Sequence, residues 1–179
     1  MRIVSVRPGD DQLVLEAAAL FDSPPDRGWT SRFLAEPGHH LLIAYVGEAV
    51  AGFVTGVETT HPDKGTEMFL YELAVDERFR RQGVGKSLVT ALAGIAAEAG
   101  CYGMWVGTDH DNTAAVATYR SAGAEPPEPA VTLTWRFDTG HKRSTPRGSG
   151  VAPAPPVLSA PDEARRPLTQ TGRGILYRP

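Results

Sequence analysis

The sequence is almost without cysteine, and it lacks the patterns that mark secreted, metal-bound or membrane-spanning chains. Cys101 is the single cysteine of 179 residues, so no internal disulfide can form and the thiol is interpreted as core packing. No Cys/His cluster has zinc spacing. No apolar run approaches the roughly 20 residues that cross a bilayer, and the N-terminus MRIVSVRPGDD lacks the apolar core of a secretory signal. These absences predict a soluble, cytoplasmic protein without a metal or a membrane partner.

An excess of basic residues is also missing from most of the chain. Residues 1–137 carry 11 Lys and Arg against 18 Asp and Glu, a net charge of −7, whereas residues 138–179 carry 7 against 3, a net charge of +4. An acidic body disfavours a nucleic-acid partner and attracts a cationic substrate. The alternative is that the acidic surface serves solubility alone.

Hydrophobic periodicity predicts one mixed α/β domain over residues 1–137. RIVSV, HLLIAYV, AVAGFVTGVETT, TEMFLYELAV, GMWVGT and AVTLTWRF are typical of strands, and the second and third are predicted to form a hairpin across Gly47 and Glu48. DDQLVLEAAALF, TSRFLAE, the stretch from Gly83 to Gly100 and NTAAVATYRSAG are predicted helices, with Thr30 and Asn112 as caps. The order predicts an antiparallel front half followed by alternating strands and helices.

The composition changes after Phe137. Residues 138–179 hold 7 of the 15 prolines and only scattered apolar side chains, which is too little for a core. We expect a Pro/Arg-rich tail that is disordered or draped over the surface, with docking of its closing GILYRP as the alternative.

The stretch RRQGVGKS, residues 80–87, predicts a binding site for a phosphate group. Two glycines and three cations precede an apolar helix, where main-chain N–H groups and the helix dipole favour a phosphate. A nucleotide-hydrolase loop would need glycine at the position of Arg80, and a dinucleotide fingerprint would need a small residue at Leu88. What remains is Arg-x-x-Gly-x-Gly from Arg80 to Gly85. A plain solvated turn is the other interpretation.

At this point the sequence resembles a known family. LYELAVDERFRRQGVGKSLV is similar to the acetyl-coenzyme A signature of the GCN5-related N-acetyltransferases (GNAT), and DNTAAVATYRSAGA is similar to the segment that follows it. The resemblance covers most of residues 1–137. It implies a mixed, mostly antiparallel central sheet flanked by helices, with a splayed strand pair that binds acetyl-CoA.

The resemblance also implies cofactor contacts. Backbone groups of Leu73, Ala74 and Val75 would hold the pantetheine arm, and one N–H there would steady the thioester oxygen. Asn112 would hydrogen-bond the arm as well as cap its helix. The pyrophosphate would be held by the loop residues Arg80, Arg81, Gln82, Gly83, Val84, Gly85, Lys86 and Ser87.

Acid and base candidates follow from the reaction. An ammonium must lose a proton before it attacks a carbonyl, and Glu72 is a carboxylate among apolar strand residues beside the expected thioester site. Strand alternation predicts Glu72 on the same face as Met68, Leu70 and Ala74. Tyr119 matches the tyrosine that protonates the leaving thiolate in relatives. An exposed glutamate and a core tyrosine are the alternative interpretations.

The acceptor amine is less well defined by the sequence. Carboxylates predicted to bind a cationic substrate are Glu58, Glu67, Asp109 and Asp111, with His110 as an alternative base. LYELAV with RRQGVG most resembles the aminoglycoside 3-N-acetyltransferases, which implies antibiotic resistance. Protein or peptide N-acetylation and a non-catalytic acyl-CoA sensor stay open, as does a homodimer.

Overall fold

The computed structural model describes residues 1–135 and 137. Its strands are β1 (Arg2–Ser5), β2 (His39–Val46), β3 (Ala49–His61), β4 (Gly65–Val75) and β5 (Met104–Trp105). Its α-helices are α1 (Asp11–Glu16), α2 (Arg27–Ala35), α3 (Val84–Glu98) and α4 (Thr113–Ser121), and short 3-10 turns cover Ala18–Leu20 and Glu77–Phe79. Within these described residues no helix is both long and apolar enough to cross a bilayer.

The five strands form one sheet in sequence order. β1 to β4 pair antiparallel, and β5 pairs parallel to β4 through only two residue pairs, Met68 with Met104 and Phe69 with Trp105. The predicted β2–β3 hairpin is present, and Gly47 takes the positive φ of 59° that its tight turn requires. The mixed, mostly antiparallel sheet confirms the predicted fold class.

Each face of the sheet carries its own apolar core. Leu42, Val54, Met68 and Leu70 pack against α3, whose buried residues are Val84, Leu88, Val89, Leu92 and Ala96. On the opposite face, Leu41, Ile43 and Phe53 pack with side chains from α1 and α2. The sheet is therefore buried on both sides, and the second face is the one that α1 and α2 cover.

A β-bulge in β4 changes which face its side chains occupy. Thr55 pairs with Glu72 but the next residue, Gly56, pairs with Leu70, so Tyr71 is the extra residue. After the bulge, Leu73 packs against the α3 core and Ala74 against the α1/α2 core. The strict alternation predicted for Glu72 is therefore wrong, because Glu72 lies on the face opposite Met68 and Leu70.

Helix boundaries follow their caps. α2 begins before the predicted Thr30, because the side chain of Asp26 accepts a hydrogen bond from the Trp29 N–H and Thr30 is buried inside the helix. α3 begins after Gly83, as the sequence predicts, and Gly100 follows it with a positive φ of 77°.

The predicted last strand, Ala130–Phe137, is wrong for the residues described. Residues 130–135 and 137 form no strand, and the side chains of Val131, Leu133, Trp135 and Phe137 are 74–89% exposed. Alternation alone does not make a strand, because the backbone also needs a pairing partner. Arg136 and the predicted tail, residues 138–179, lie outside the described residues.

Candidate active site

The loop between β4 and α3 presents backbone N–H groups at a helix N-terminus. Gly83 is the N-cap of α3, with φ 84°, and it makes no side-chain cap. Among the described residues, no acceptor takes a hydrogen bond from the N–H groups of Gln82, Gly83, Val84, Gly85 or Lys86, and the first bond of the helix runs from the Ser87 N–H to the Gly83 carbonyl at 3.0 Å. These donors and the helix dipole make an anion site.

Several side chains of the same loop support its shape. Gln82 donates to the Arg78 carbonyl at 2.9 Å, and Arg80 donates to the Val75 carbonyl at 3.3 Å while its guanidinium lies 3.4 Å from the Glu77 carboxylate. Arg81 has a positive φ of 63°, which is strained for a residue with a Cβ. Gln82 and Arg80 therefore stabilise the loop through hydrogen bonds to backbone carbonyl groups.

The two glycines have different roles. A Cβ at Gly83 would meet nothing within 4 Å, so its positive φ is what requires glycine there. A Cβ at Gly85 would lie 3.1 Å from Thr118 Cγ2 in α4. Gly85 thus allows α3 and α4 to approach closely, a role that the sequence analysis did not predict.

β4 and β5 part soon after they meet. Their pairing ends at Phe69 and Trp105, although β4 continues to Val75. On its side away from β3, β4 from Leu70 onward therefore has no paired strand in the described part of the chain. This is the splayed pair that the resemblance implies, and it places Leu73, Ala74 and Val75 along an open edge that an extended ligand can follow.

Glu72 lies beside this gap on the α1/α2 face. Its pKa is raised, first by burial and second by the nearby carboxylate of Asp22. Asp22 was not predicted as a site residue, since nothing in FDSPPD marks it. Phe21, its neighbour, stacks on Phe53 with ring centroids 4.1 Å apart, which holds the Asp22 segment over the sheet.

Three aromatic side chains lie along the same α1/α2 face of the sheet. Phe69 stacks on Trp105 at a centroid distance of 4.3 Å and meets the edge of Tyr71 at 5.6 Å. Tyr71 is 66% exposed and Trp105 41%. Glu67 lies earlier on the strand and accepts a hydrogen bond from the Tyr102 hydroxyl at 2.7 Å. Carboxylates and exposed ring faces together suit a cationic ligand.

Tyr119 lies near the C-terminal end of α4 on the α3 face, and Asn112 caps the N-terminus of the same helix. Tyr119 packs against the α3 core and borders an open cavity of about 200 Å³. Burial raises the pKa of Tyr119, which keeps the phenol protonated. Asn112 accepts from the Ala115 N–H at 3.1 Å through Oδ1, so its side-chain NH2 is what it can offer a ligand.

The remaining predicted carboxylates lie elsewhere. Glu58 Oε1 lies 2.8 Å from His40 Nε2. Both side chains lie on the α3 face of the sheet, as the neighbouring Gly56 shows by facing Leu92. Asp109, His110 and Asp111 are exposed in the β5–α4 loop. The structure therefore does not bring Glu58 together with Glu72.

Three relatives resemble this chain in sequence or fold. The mycothiol acetyltransferase of Salinispora arenicola (strain CNS-205) is 36% identical over 89 residues, 48% of this chain but only 27% of that protein. An aminoglycoside acetyltransferase from an uncultured soil metagenomic sample, solved with sisomicin, has a TM-score of 0.71 at 23% identity, covering 76% of this chain and 96% of that one. Ribosomal-protein-alanine N-acetyltransferase from Brucella melitensis biovar Abortus 2308 has a TM-score of 0.60 at 19% identity, covering 75% and 100%. At these identities the two structures show the fold alone.

The comparison with family models gives the class to which this chain belongs. The model of the Acetyltransferase (GNAT) family matches residues 11–124, and this chain belongs to that family. Acetyl-CoA is the donor that the family uses, so the family and its cofactor are confirmed. The 3-N-acetyltransferase subtype stays a prediction, because the solved aminoglycoside enzyme of similar fold whose type is given is an AAC(6') enzyme.

Proposed function

We propose that the protein transfers the acetyl group of acetyl-CoA to a primary amine of a small cationic acceptor, with aminoglycosides as the leading class. The observation that carries the proposal is the gap that opens between β4 and β5 after Phe69 and Trp105, with the protonated phenol of Tyr119 on the α3 face of the sheet and the half-buried Glu72 carboxylate on the opposite face. Acetyl-CoA is used inside the cell, so the proposal includes a cytoplasmic location.

The chain's own groups fit the donor. The free amides from Gln82 to Lys86 would take the pyrophosphate, and Lys86 and Arg81 add positive charge. The open edge of β4 at Leu73, Ala74 and Val75 would take the amide groups of the pantetheine arm as an added strand. Bound there, the donor supplies an activated acetyl thioester.

Proton transfer is assigned to the two titratable groups. Glu72 would accept the proton of the acceptor ammonium, since its raised pKa makes the carboxylate a stronger base than an exposed glutamate. Tyr119 would give its phenolic proton to the departing thiolate. No protein nucleophile is needed, because the free amine attacks the thioester carbonyl directly.

Acceptor binding is assigned to the α1/α2 face. Asp22 and Glu67 would bind ammonium groups, and Tyr71 and Trp105 offer ring faces for cation–π contacts or for the apolar face of a sugar. Asp109 and Asp111 stay predicted substrate-binding residues. Protein N-acetylation is the second candidate, favoured by the fold shared with the ribosomal-protein-alanine enzyme.

Turnover against a panel of amines tests the proposal. Purified protein and acetyl-CoA are assayed by thiol release with aminoglycosides, polyamines, amino acids and short peptides. Thiol release with aminoglycosides supports the leading class, and release with peptides alone would replace it by the second candidate.

Variants separate an enzyme from a sensor. Glu72→Gln and Tyr119→Phe should each lower kcat by about 10²- to 10⁴-fold while calorimetry shows unchanged coenzyme A binding. Glu48→Gln, in the exposed β2–β3 turn, is the matched control. A protein that binds coenzyme A but releases thiol with no amine would be a sensor.

A further inference from the structure

Thr55 lies in β3 directly across from Glu72. The two are Cα partners in the antiparallel pairing, and both side chains lie on the α1/α2 face. Thr55 is only 6% exposed, yet its Oγ1 has no hydrogen-bond partner among the described residues. Buried hydroxyl groups nearly always have a partner, so this one requires an explanation.

Few acceptors face this hydroxyl. The cross-strand neighbour of Thr55 in β2 is Leu41, and Phe53 and Ala74 next to it on the same face are apolar. The titratable groups of this region are Glu72 on β4, Asp22, which approaches Glu72 from the segment after the first 3-10 turn, and His39 on β2, which lies diagonally across from Thr55 and whose Nδ1 is also buried without a partner among the described residues. Cross-strand partners have Cβ atoms about 4.5–5.5 Å apart, so rotation of the Glu72 side chain is enough to reach Oγ1.

We propose that Thr55 is a positioning residue, whose hydroxyl donates a hydrogen bond to the Glu72 carboxylate and orients it toward the gap between β4 and β5. Donation stabilises the ionised carboxylate, and it therefore opposes the effects of burial and of Asp22. It also restricts a side chain with three rotatable bonds. The hydrogen bond itself does not depend on turnover, whereas its catalytic value rests on the proposed function.

A carboxyl titration in the unliganded protein tests the hydrogen bond. The protein is labelled with 13C at glutamate side chains, and the Glu72 signal is assigned by its loss in Glu72→Gln. Thr55→Val keeps the branched shape without the hydroxyl, and Thr55→Ser keeps the hydroxyl. The acid dissociation constant of Glu72 should fall about three- to tenfold in Thr55→Val and stay within about twofold of the parent in Thr55→Ser.

Stability gives an independent readout. If the hydroxyl had no partner, valine would remove a desolvated polar group, and Thr55→Val would unfold at higher urea concentration with the Glu72 titration unchanged. That pair of results would overturn the proposal. Thr55→Ala serves in place of Thr55→Val if the latter does not fold.

Kinetics test the consequence for catalysis. In Thr55→Val the acidic limb of the kcat/KM profile for the amine should move to higher pH, while the KM for acetyl-CoA stays unchanged. Thr55→Ser should restore the limb. If no amine is turned over, the proposed function fails, and the titration still decides whether Thr55 bonds to Glu72.

Discussion

Substitution of Gly85 probes the contact between α3 and α4. A Cβ there would lie 3.1 Å from Thr118 Cγ2 and 3.5 Å from Val75 Cγ2. Carbon atoms pack best at about 3.5–4.0 Å, so the new methyl group is too close to Thr118 by about 0.4–0.9 Å. Thr118 cannot rotate freely, because its hydroxyl donates to the Ala114 carbonyl at 2.9 Å. In Gly85→Ala, the N-terminus of α3 must therefore shift relative to α4.

The size of the effect follows from two opposing contributions. Overpacking of this kind destabilises by about 1–3 kcal/mol, and alanine in place of glycine in a helix returns about 1 kcal/mol. The net loss is about 0–2 kcal/mol. If this whole net loss of free energy comes from distortion of the loop that presents the free amides, coenzyme A binds up to about 30-fold more weakly.

A double-mutant cycle separates this contact from backbone strain. Calorimetry gives the Kd of coenzyme A for the parent, Gly85→Ala, Thr118→Ser and the double variant. Serine removes Cγ2 and keeps the hydroxyl, so the double variant should bind within about threefold of the parent. Gly83→Ala has no steric neighbour but a strained φ, and Thr118→Ser should not rescue it. If Gly85→Ala binds coenzyme A weakly and the double variant with Thr118→Ser binds just as weakly, the reasoning is refuted.

Three further predictions concern stability and titration. Since the folded pKa of Glu72 is raised, its contribution to stability is lost as pH rises through that pKa, so Glu72→Gln should have a higher Tm than the parent at pH 8 and an equal Tm near pH 4 by calorimetry. NMR titration should place the pKa of Asp76 at about 2, because Arg78 bonds it through side chain and backbone, and its stabilisation should be lost as pH falls from 3.8 through that value. Arg78→Ala should raise the pKa; no change would contradict the assignment. In urea unfolding, Gly56→Ala should destabilise by about 1–3 kcal/mol, because its Cβ would lie 2.8 Å from core side chains. Gly94→Ala, in an open helical position, is the control and should stabilise by about 1 kcal/mol.

The order of elements and the glycine-capped start of α3 could be predicted from the sequence because their signals are local. Gly47 marks the hairpin turn, and Gly83 and Gly100 enclose an apolar helix. The cap of α4 by Asn112 follows from the same short-range chemistry. Each of these features depends on residues within one or two turns of the chain.

Features that depend on distant partners could not be predicted. The face of Glu72 is set by a bulge that forms only in pairing with β3, and strict alternation in β4 gives the wrong side. Asp22 and Thr55 approach Glu72 across the fold, and no local pattern shows it. The alternation after Ala130 is typical of a strand, but the described residues there have no neighbouring strand with which to pair.

The bulge at Tyr71 also limits which changes in chain length the protein can accept. Deleting Tyr71 would restore regular pairing with Leu70 still opposite Gly56 and Glu72 still opposite Thr55, whereas inserting one more residue between Glu72 and Val75 would turn the side chains after it to the other face of the sheet. An insertion in the β3–β4 turn, residues 62–64, changes no register inside the strands. Length variation in a library of variants should therefore be concentrated in that turn, and the one position in β4 where a deletion keeps the faces of its neighbours is Tyr71.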